Sequence, residues 1–167
     1  MQQEVSTEQF REAMSRLAAT VTLIATDGPA GRHGINATAV CSVSDDPPTI
    51  LACINRSSTL NAKIKTNGVM SVNVLAEPHR DLSLHFTKPD PTGELRFSSV
   101  DWSVGRTGSP ILTDASLALD CEVTSHAEVG THSVFFGRLV DIRSNGELSP
   151  LLYYQRDFHT LIAQSLA

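Results

Sequence analysis

Apolar positions recur at helical spacing near the start of the chain and at strand spacing through most of the remainder. Phe10, Ala13, Met14, Leu17 and Ala18 fall on one face of a helix. Ser6-Thr7-Glu8-Gln9 ahead of them is a capping-box sequence, so the first helix is expected to open there and to present a packing surface. Residues 21–26, rich in β-branched side chains, predict a strand, and Asp27-Gly28-Pro29-Ala30-Gly31 is a turn cluster. Residues 34–44 are small and mildly polar until Asp45-Asp46-Pro47-Pro48 breaks them. Residues 49–54 form a continuous apolar run of strand length, expected to be buried on both faces. A short helix capped by Ser57 or Ser58 comes next, with Leu60 and Ile64 on one side and Asn67-Gly68 as its stop.

Residues 69–75 read as another strand, and residues 78–86 as a short helix with Leu82 and Phe86 inward. Pro89-Asp90-Pro91-Thr92-Gly93 reads as a loop, and the stretch around it as the most mobile part of the chain. Leu117, Leu119, Cys121 and Val123 alternate with Ala118, Asp120, Glu122 and Thr124, the pattern of a half-buried strand. Gly130 marks a turn, residues 133–142 return as a strand, and a brief C-terminal helix is expected after the apolar residues 151–154. Strands joined by short turns, with no regular alternation of strand and helix, predict a mainly β fold: an antiparallel barrel with peripheral helices. No shift in composition divides the 167 residues, so one domain is expected.

Composition narrows the classes without naming a function. Hydrophobic residues are 41%, charged residues 19%, and the formal net charge is -5, ordinary for a globular chain and without the basic surplus of a nucleic-acid binder. Cys41, Cys53 and Cys121 form no CxxC pair and are odd in number, so reduced thiols in a cytoplasmic protein are expected. No apolar run reaches the roughly 18 residues of a membrane helix, and residues 1–5 lack the basic and apolar regions of a signal peptide. GxGxxG, GxxxxGK[ST], HExxH and GxSxG are absent, and the six histidines show no metal-ligand spacing.

Four segments carry candidate chemistry. Asn55-Arg56-Ser57-Ser58-Thr59 succeeds a strand and opens a helix, whose free N–H groups suit a phosphate; the serine hydroxyls and the Arg56 guanidinium add donors. The plain alternative is a capping serine with a solvated arginine. Asn36, Thr38, Ala39, Val40, Cys41, Ser42 and Val43 have side chains small enough for a planar ligand to approach the backbone, or equally to pack a crowded neighbour. Cys41 reads as a small buried hydrophobe, since no activating base accompanies it. His132, just past the Gly130 turn, stands either at a cleft mouth or exposed on a loop. Tyr154-Gln155-Arg156-Asp157-Phe158-His159 mixes aromatic and cationic groups that cover a ligand or dock the C-terminus.

Taken in order, these segments resemble the short-chain flavin reductases, which include the reductase components of two-component flavin monooxygenases. The resembling stretches include Phe10-Arg11-Glu12-Ala13-Met14, residues 38–43, Pro47-Pro48-Thr49, residues 53–58, Asn67-Gly68, Val72-Asn73-Val74-Leu75, Gly130-Thr131-His132 and residues 154–159. The resemblance implies an FMN-binding split β-barrel of Greek-key antiparallel strands, usually a homodimer. It implies reduction of FMN or FAD by NADH or NADPH, feeding a separate flavin-dependent monooxygenase. By position, residues 38–43 would line the isoalloxazine, and Asn55, Ser57 and Ser58 would hold the ribityl chain and phosphate. His132 would lie by the nicotinamide as the candidate catalytic residue, and Arg156 near the flavin or the dinucleotide. Where many relatives have threonine, this chain has Asn36. Two other readings stay open: a flavoprotein passing electrons to a corrinoid or metal complex, and a flavin-binding module without activity.

Overall fold

The computed structural model describes residues 4–88, 90 and 95–161, and is mainly β with three α-helices. Helix α1 (Thr7–Ser15) opens on the expected capping box, with Ser6 and Gln9 exchanging side-chain and backbone hydrogen bonds. Two-residue strand β1 (Ala19–Thr20) and strand β2 (Thr22–Thr26) come next. The small, polar stretch resolves into β3 (His33–Ala37) and β4 (Val40–Asp45), and the apolar run into β5 (Pro48–Asn55). Ser58 caps α2 (Thr59–Asn67), which ends where Gly68 takes the left-handed conformation, φ 71°, that glycine adopts without penalty. Then come β6 (Val69–Val74), a 3-10 turn (Glu77–His79), α3 (Arg80–Phe86), a second 3-10 turn (Leu95–Phe97), and the short hairpin β7 (Trp102–Val104) and β8 (Pro110–Leu112). The chain closes with two long strands, β9 (Leu117–Val129) and β10 (His132–Ser144), and the hairpin β11 (Leu151–Tyr154) and β12 (Asp157–Thr160). Of the expected loop, Pro89 and residues 91–93 lie outside the described residues.

Seven strands make one antiparallel sheet in the order β3-β2-β6-β9-β10-β5-β4. Every strand of it contributes to a single apolar cluster, including Ile35, Ile24, Val72, Cys121, Phe135, Ile54 and Val40. A flat sheet of this width would hold its edges far apart. Here the two edge strands are consecutive in sequence and joined only by Thr38 and Ala39, so the sheet curls on itself around that cluster. No ladder joins β3 to β4; the barrel is split along that seam. Inside, space is tight: a Cβ on Gly137 would stand 2.6 Å from Met70 Cε and 3.0 Å from Cys121 Cβ.

The outer face of β2 carries a second cluster, in which Leu23 and Ala25 pack with Leu82 and Phe86 of α3, Phe97, Ile111, Leu112 and Leu151. The sheet β1-β11-β12 is stitched to the large one through Val21, Leu75 and Leu151, whose amides donate in turn to Leu151, Val21 and Leu75 carbonyls at 2.8–3.0 Å.

Four expectations are revised. The face of α1 is not packed in this chain: Phe10 is 57% and Leu17 63% exposed, and the helix buries no residue. The apolar run of β5 alternates buried and half-buried positions, because only one side of it faces the inner cluster. On β9, Ala118 and Asp120 are buried, whereas of the expected face only Cys121 is buried and Leu117, Leu119 and Val123 are half-buried; the turn at residues 105–109 covers Asp120, and its Thr107 donates to that carboxylate. Where a C-terminal helix is expected after residue 154, residues 157–160 form β12, paired with β11, and residues 162–167 of that expectation lie outside the described residues.

Candidate active site

Three of the four candidate segments meet at one end of the curled sheet. The Cys53 amide donates to the Ala39 carbonyl at 2.9 Å, which sets the Thr38–Ala39 link two residues from the end of β5. His132 stands opposite Asn55 in the β5–β10 register. Asn55, Ser57 and Ser58 lie at the mouth of α2. There Asn55 Oδ1 accepts from the Ser57 amide at 2.9 Å and its hydroxyl at 2.8 Å, while Ser58 Oγ accepts from the Leu60 amide at 3.3 Å. The Thr131 hydroxyl lies 2.9 Å from His132 Nδ1.

Arg56 is turned away from the helix mouth. Its amide donates to the Thr131 carbonyl at 2.9 Å, Nη1 to the Gly130 carbonyl at 3.3 Å, and Nε pairs with Glu128 at 2.8 Å. Glu128 also takes Lys65 at 2.6 Å and the Ser133 hydroxyl at 3.1 Å, and the buried Asn61 reaches Ser133 Oγ at 2.9 Å. The Lys65 hydrogen bond, against an opposing desolvation and with further help from Ser133 and the Lys65 and Arg56 charges, holds the Glu128 carboxyl below its ordinary range.

Residues 38–43 form the link and the first part of an edge strand. Cys41 and Val43 are exposed rather than buried, because β4 has a neighbour on one side only. Ser42 and Ala39 are exposed too, and Val40 reaches the inner cluster. Burial, with Cys41 nearby, raises the Cys53 thiol, and burial beside Asp120 pushes Cys121 up to about 12. Both stay protonated at neutral pH, which leaves them as packing groups.

Arg156 and Asn36 share a groove of about 520 Å³ with Thr38, Ser83, Tyr153 and Phe158. Asn36 Nδ2 donates to the Ser83 carbonyl at 2.6 Å, whereas its Oδ1 is buried with no hydrogen-bond partner, an acceptor left over at the groove. Tyr153 and Phe158 rings meet edge-on at 5.6 Å, and the Arg80 guanidinium lies 5.5 Å from the Phe158 centroid. A second groove, about 840 Å³, runs from the apolar face of α1 to Thr38, Tyr153 and Arg156, and a third, about 590 Å³, opens beside Thr38, Val40, Val72 and Leu119. Thr38 lines all three. Sequence reasoning missed Arg80, Ser83 and Glu128, because no linear motif marks residues that fold to a site from α3 and the end of β9.

Arg156 owes its position to an unusual turn. Gln155 and Arg156 both have positive φ, 49° and 66°, and join β11 to β12 in the geometry that usually selects Asn-Gly. The Gln155 amide donates to the Ser15 carbonyl at 2.7 Å, and Arg156 pairs with Glu12 at 3.2 Å, so α1 holds the turn in place. A left-handed conformation costs a residue with a side chain about 1–2 kcal/mol. Arg156→Gly is therefore expected to raise stability by about 1 kcal/mol in thermal or urea unfolding, since the exposed ion pair it removes is worth little. A variant less stable than the parent would show that the turn stores no strain.

Residues 14–161 match the model of the flavin reductase like domain. Among curated relatives, the FMN reductase (NADH) RutF of Pseudomonas syringae pv. syringae is 47% identical over 163 residues, 98% of this chain and 91% of that protein. Among solved structures, flavin reductase PheA2 aligns with a TM-score of 0.85 at 29% identity, covering 95% of this chain and 99% of its own. BorF, the flavin reductase component of a bacterial two-component tryptophan halogenase, aligns with a TM-score of 0.87 at 27% identity over 95% and 100%. The ordered segments, the split antiparallel barrel and these matches agree, and the chain belongs to the flavin reductase like domain family.

Proposed function

We propose that this chain is an NADH-dependent FMN reductase acting as one domain, and that it hands reduced flavin to a separate flavin-dependent monooxygenase. The observation that carries the reading is the meeting of the Thr38–Ala39 link, Asn55–Ser58 and His132 at one sheet end, beside a groove that holds an unpartnered Asn36 acceptor. The names of the relatives support both halves. RutF is an FMN reductase using NADH, and BorF serves a two-component halogenase. FAD and NADPH are the alternative pairings to assay.

The residues present fit a flavin. Flavin and nicotinamide supply the hydride chemistry between them, so no protein nucleophile is needed. The chain's task is to hold two flat rings face to face at about 3–3.5 Å. The link and first residues of β4 offer small side chains and an exposed strand edge along which a ring lies close to the backbone. Asn55, Ser57 and Ser58 present hydroxyls and helix-start amides to a ribityl phosphate. Asn36 Oδ1 accepts from a ligand N–H or hydroxyl, a use that accounts for an acceptor otherwise buried at a cost. His132 borders the nicotinamide, and Arg156 supplies positive charge to the dinucleotide. The uncovered apolar face of α1 supports a homodimer, and no helix among the described residues is long and apolar enough to cross a membrane. We place the protein in the cytoplasm.

The direct test is NADH oxidation monitored at the nicotinamide band with FMN as acceptor. Turnover supports the reading; none with either flavin and either nicotinamide refutes it. The phosphate assignment is tested separately with Ser57→Ala/Ser58→Ala. That variant is expected to weaken FMN about tenfold and leave riboflavin within twofold, because only FMN uses the helix mouth. Equal weakening of both would refute the assignment.

A further inference from the structure

We propose that Arg56, with Glu128, is a positioning residue for His132 rather than a ligand of the flavin phosphate. The inference rests on the proposed place of His132 beside the nicotinamide. Residue type and sequence position both cast Arg56 as a phosphate donor, yet each contact it makes points to the β9–β10 turn. Its amide holds the Thr131 carbonyl, Nη1 holds the Gly130 carbonyl, and Nε holds Glu128, two residues before Gly130. These fix the backbone on the N-terminal side of His132. The C-terminal side is fixed through Ser133, which is fully buried, donates to Glu128 and receives Asn61 Nδ2. Asn61 anchors in turn on the Ile54 carbonyl at 3.1 Å, the residue before Asn55.

His132 is itself exposed, and its side chain has the Thr131 hydroxyl as its neighbour. An exposed histidine on a tight turn samples several rotamers and backbone states unless its neighbours are held. The Arg56–Glu128 pair is half-exposed and adds little to global stability. Its effect is local: it ties the turn to the start of α2, so that the group facing the nicotinamide and the helix mouth facing the flavin share one rigid support. Angular precision of this kind governs the rate at which two stacked rings react.

The test uses the full chain and its own substrates. Arg56→Ala, Glu128→Gln, His132→Ala and the Arg56→Ala/His132→Ala pair are compared for kcat and KM with NADH, and for the dissociation constants of FMN and riboflavin. Arg56→Ala is expected to lower kcat/KM for NADH about tenfold while the FMN-to-riboflavin affinity ratio stays within twofold. Glu128→Gln, which keeps the guanidinium but removes its partner carboxylate, is expected to lose about threefold in the same parameter, with melting temperatures measured for each variant. In the His132→Ala background, Arg56→Ala is expected to cost nothing more. A tenfold fall in the FMN-to-riboflavin ratio on Arg56→Ala would make it a phosphate ligand and overturn the proposal, as would full additivity with His132→Ala. Unchanged NADH kinetics in His132→Ala alone would instead overturn the reading of His132.

Discussion

His132→Ala is expected to lower kcat/KM for NADH by about 10- to 100-fold while changing the dissociation constant of FMN less than twofold. The lower bound corresponds to removing one hydrogen bond from the transition state, about 1.4 kcal/mol, and the upper to twice that. The asymmetry comes from position. His132 is exposed at the start of β10, opposite Asn55 but on the other strand from the serines and amides of the helix mouth. Truncating an exposed side chain leaves folding within about 0.5 kcal/mol, so the loss is not one of active protein. Steady-state kinetics with NADH varied, paired with flavin titration of the same preparations, separates the two effects. Equal loss of nicotinamide use and flavin affinity would assign His132 to the architecture.

The largest expected change in stability comes from Phe135→Ala, about 3–5 kcal/mol. Phe135 is fully buried in the cluster that all seven strands share, packed beside Ala52 and with the His126 ring at 5.6 Å. Its removal opens a cavity at the centre of the curled sheet, where the tight fit around Gly137 shows little room for neighbours to move in. Against a total stability of about 5–15 kcal/mol, such a loss brings the chain near its unfolding threshold at growth temperature. The neighbouring Phe136 is the control, because it points to the opposite face and is half-buried. Urea unfolding is expected to show the Phe135→Ala midpoint falling at least twice as far as that of Phe136→Ala, with unchanged slope. Equal shifts would mean that the inner cluster is not the keystone of the sheet.

Strands β2, β5, β6, β9 and β10 and the three helices were legible because their signals are local. β-branched runs, the capping box at Ser6 and the glycine stop at Gly68 each act within a few residues. What failed depends on distant partners. Cys41 reads as buried by residue type, but β4 is an edge strand, and edge status is decided by sheet order. The apolar stripe of α1 announces a face without saying what covers it. The segment after Tyr154 reads as a helix because Gln155-Arg156 lacks the Asn-Gly signal of its turn geometry. The candidate site divides the same way. Asn55, Ser57 and Ser58 announce a helix mouth in sequence, whereas the sharing of one groove by Asn36 and Arg156 needed the fold. Arg56 shows the risk of reading chemistry from residue type: its contacts run to the Gly130 turn and Glu128.

The split along β3 and β4 has a consequence for how much of this protein persists in a cell. Only Thr38 and Ala39 cross the seam, and no backbone ladder closes it. On the proposed placement, a flavin along the link would bind the closed native chain and not the unfolded one. Native stability would then rise with free flavin, by about 2.7 kcal/mol at a hundredfold excess over the dissociation constant. A chain that opens from this seam would be cleared by proteases fastest when flavin is scarce. Enzyme abundance would thus track substrate supply with no regulator beyond mass action.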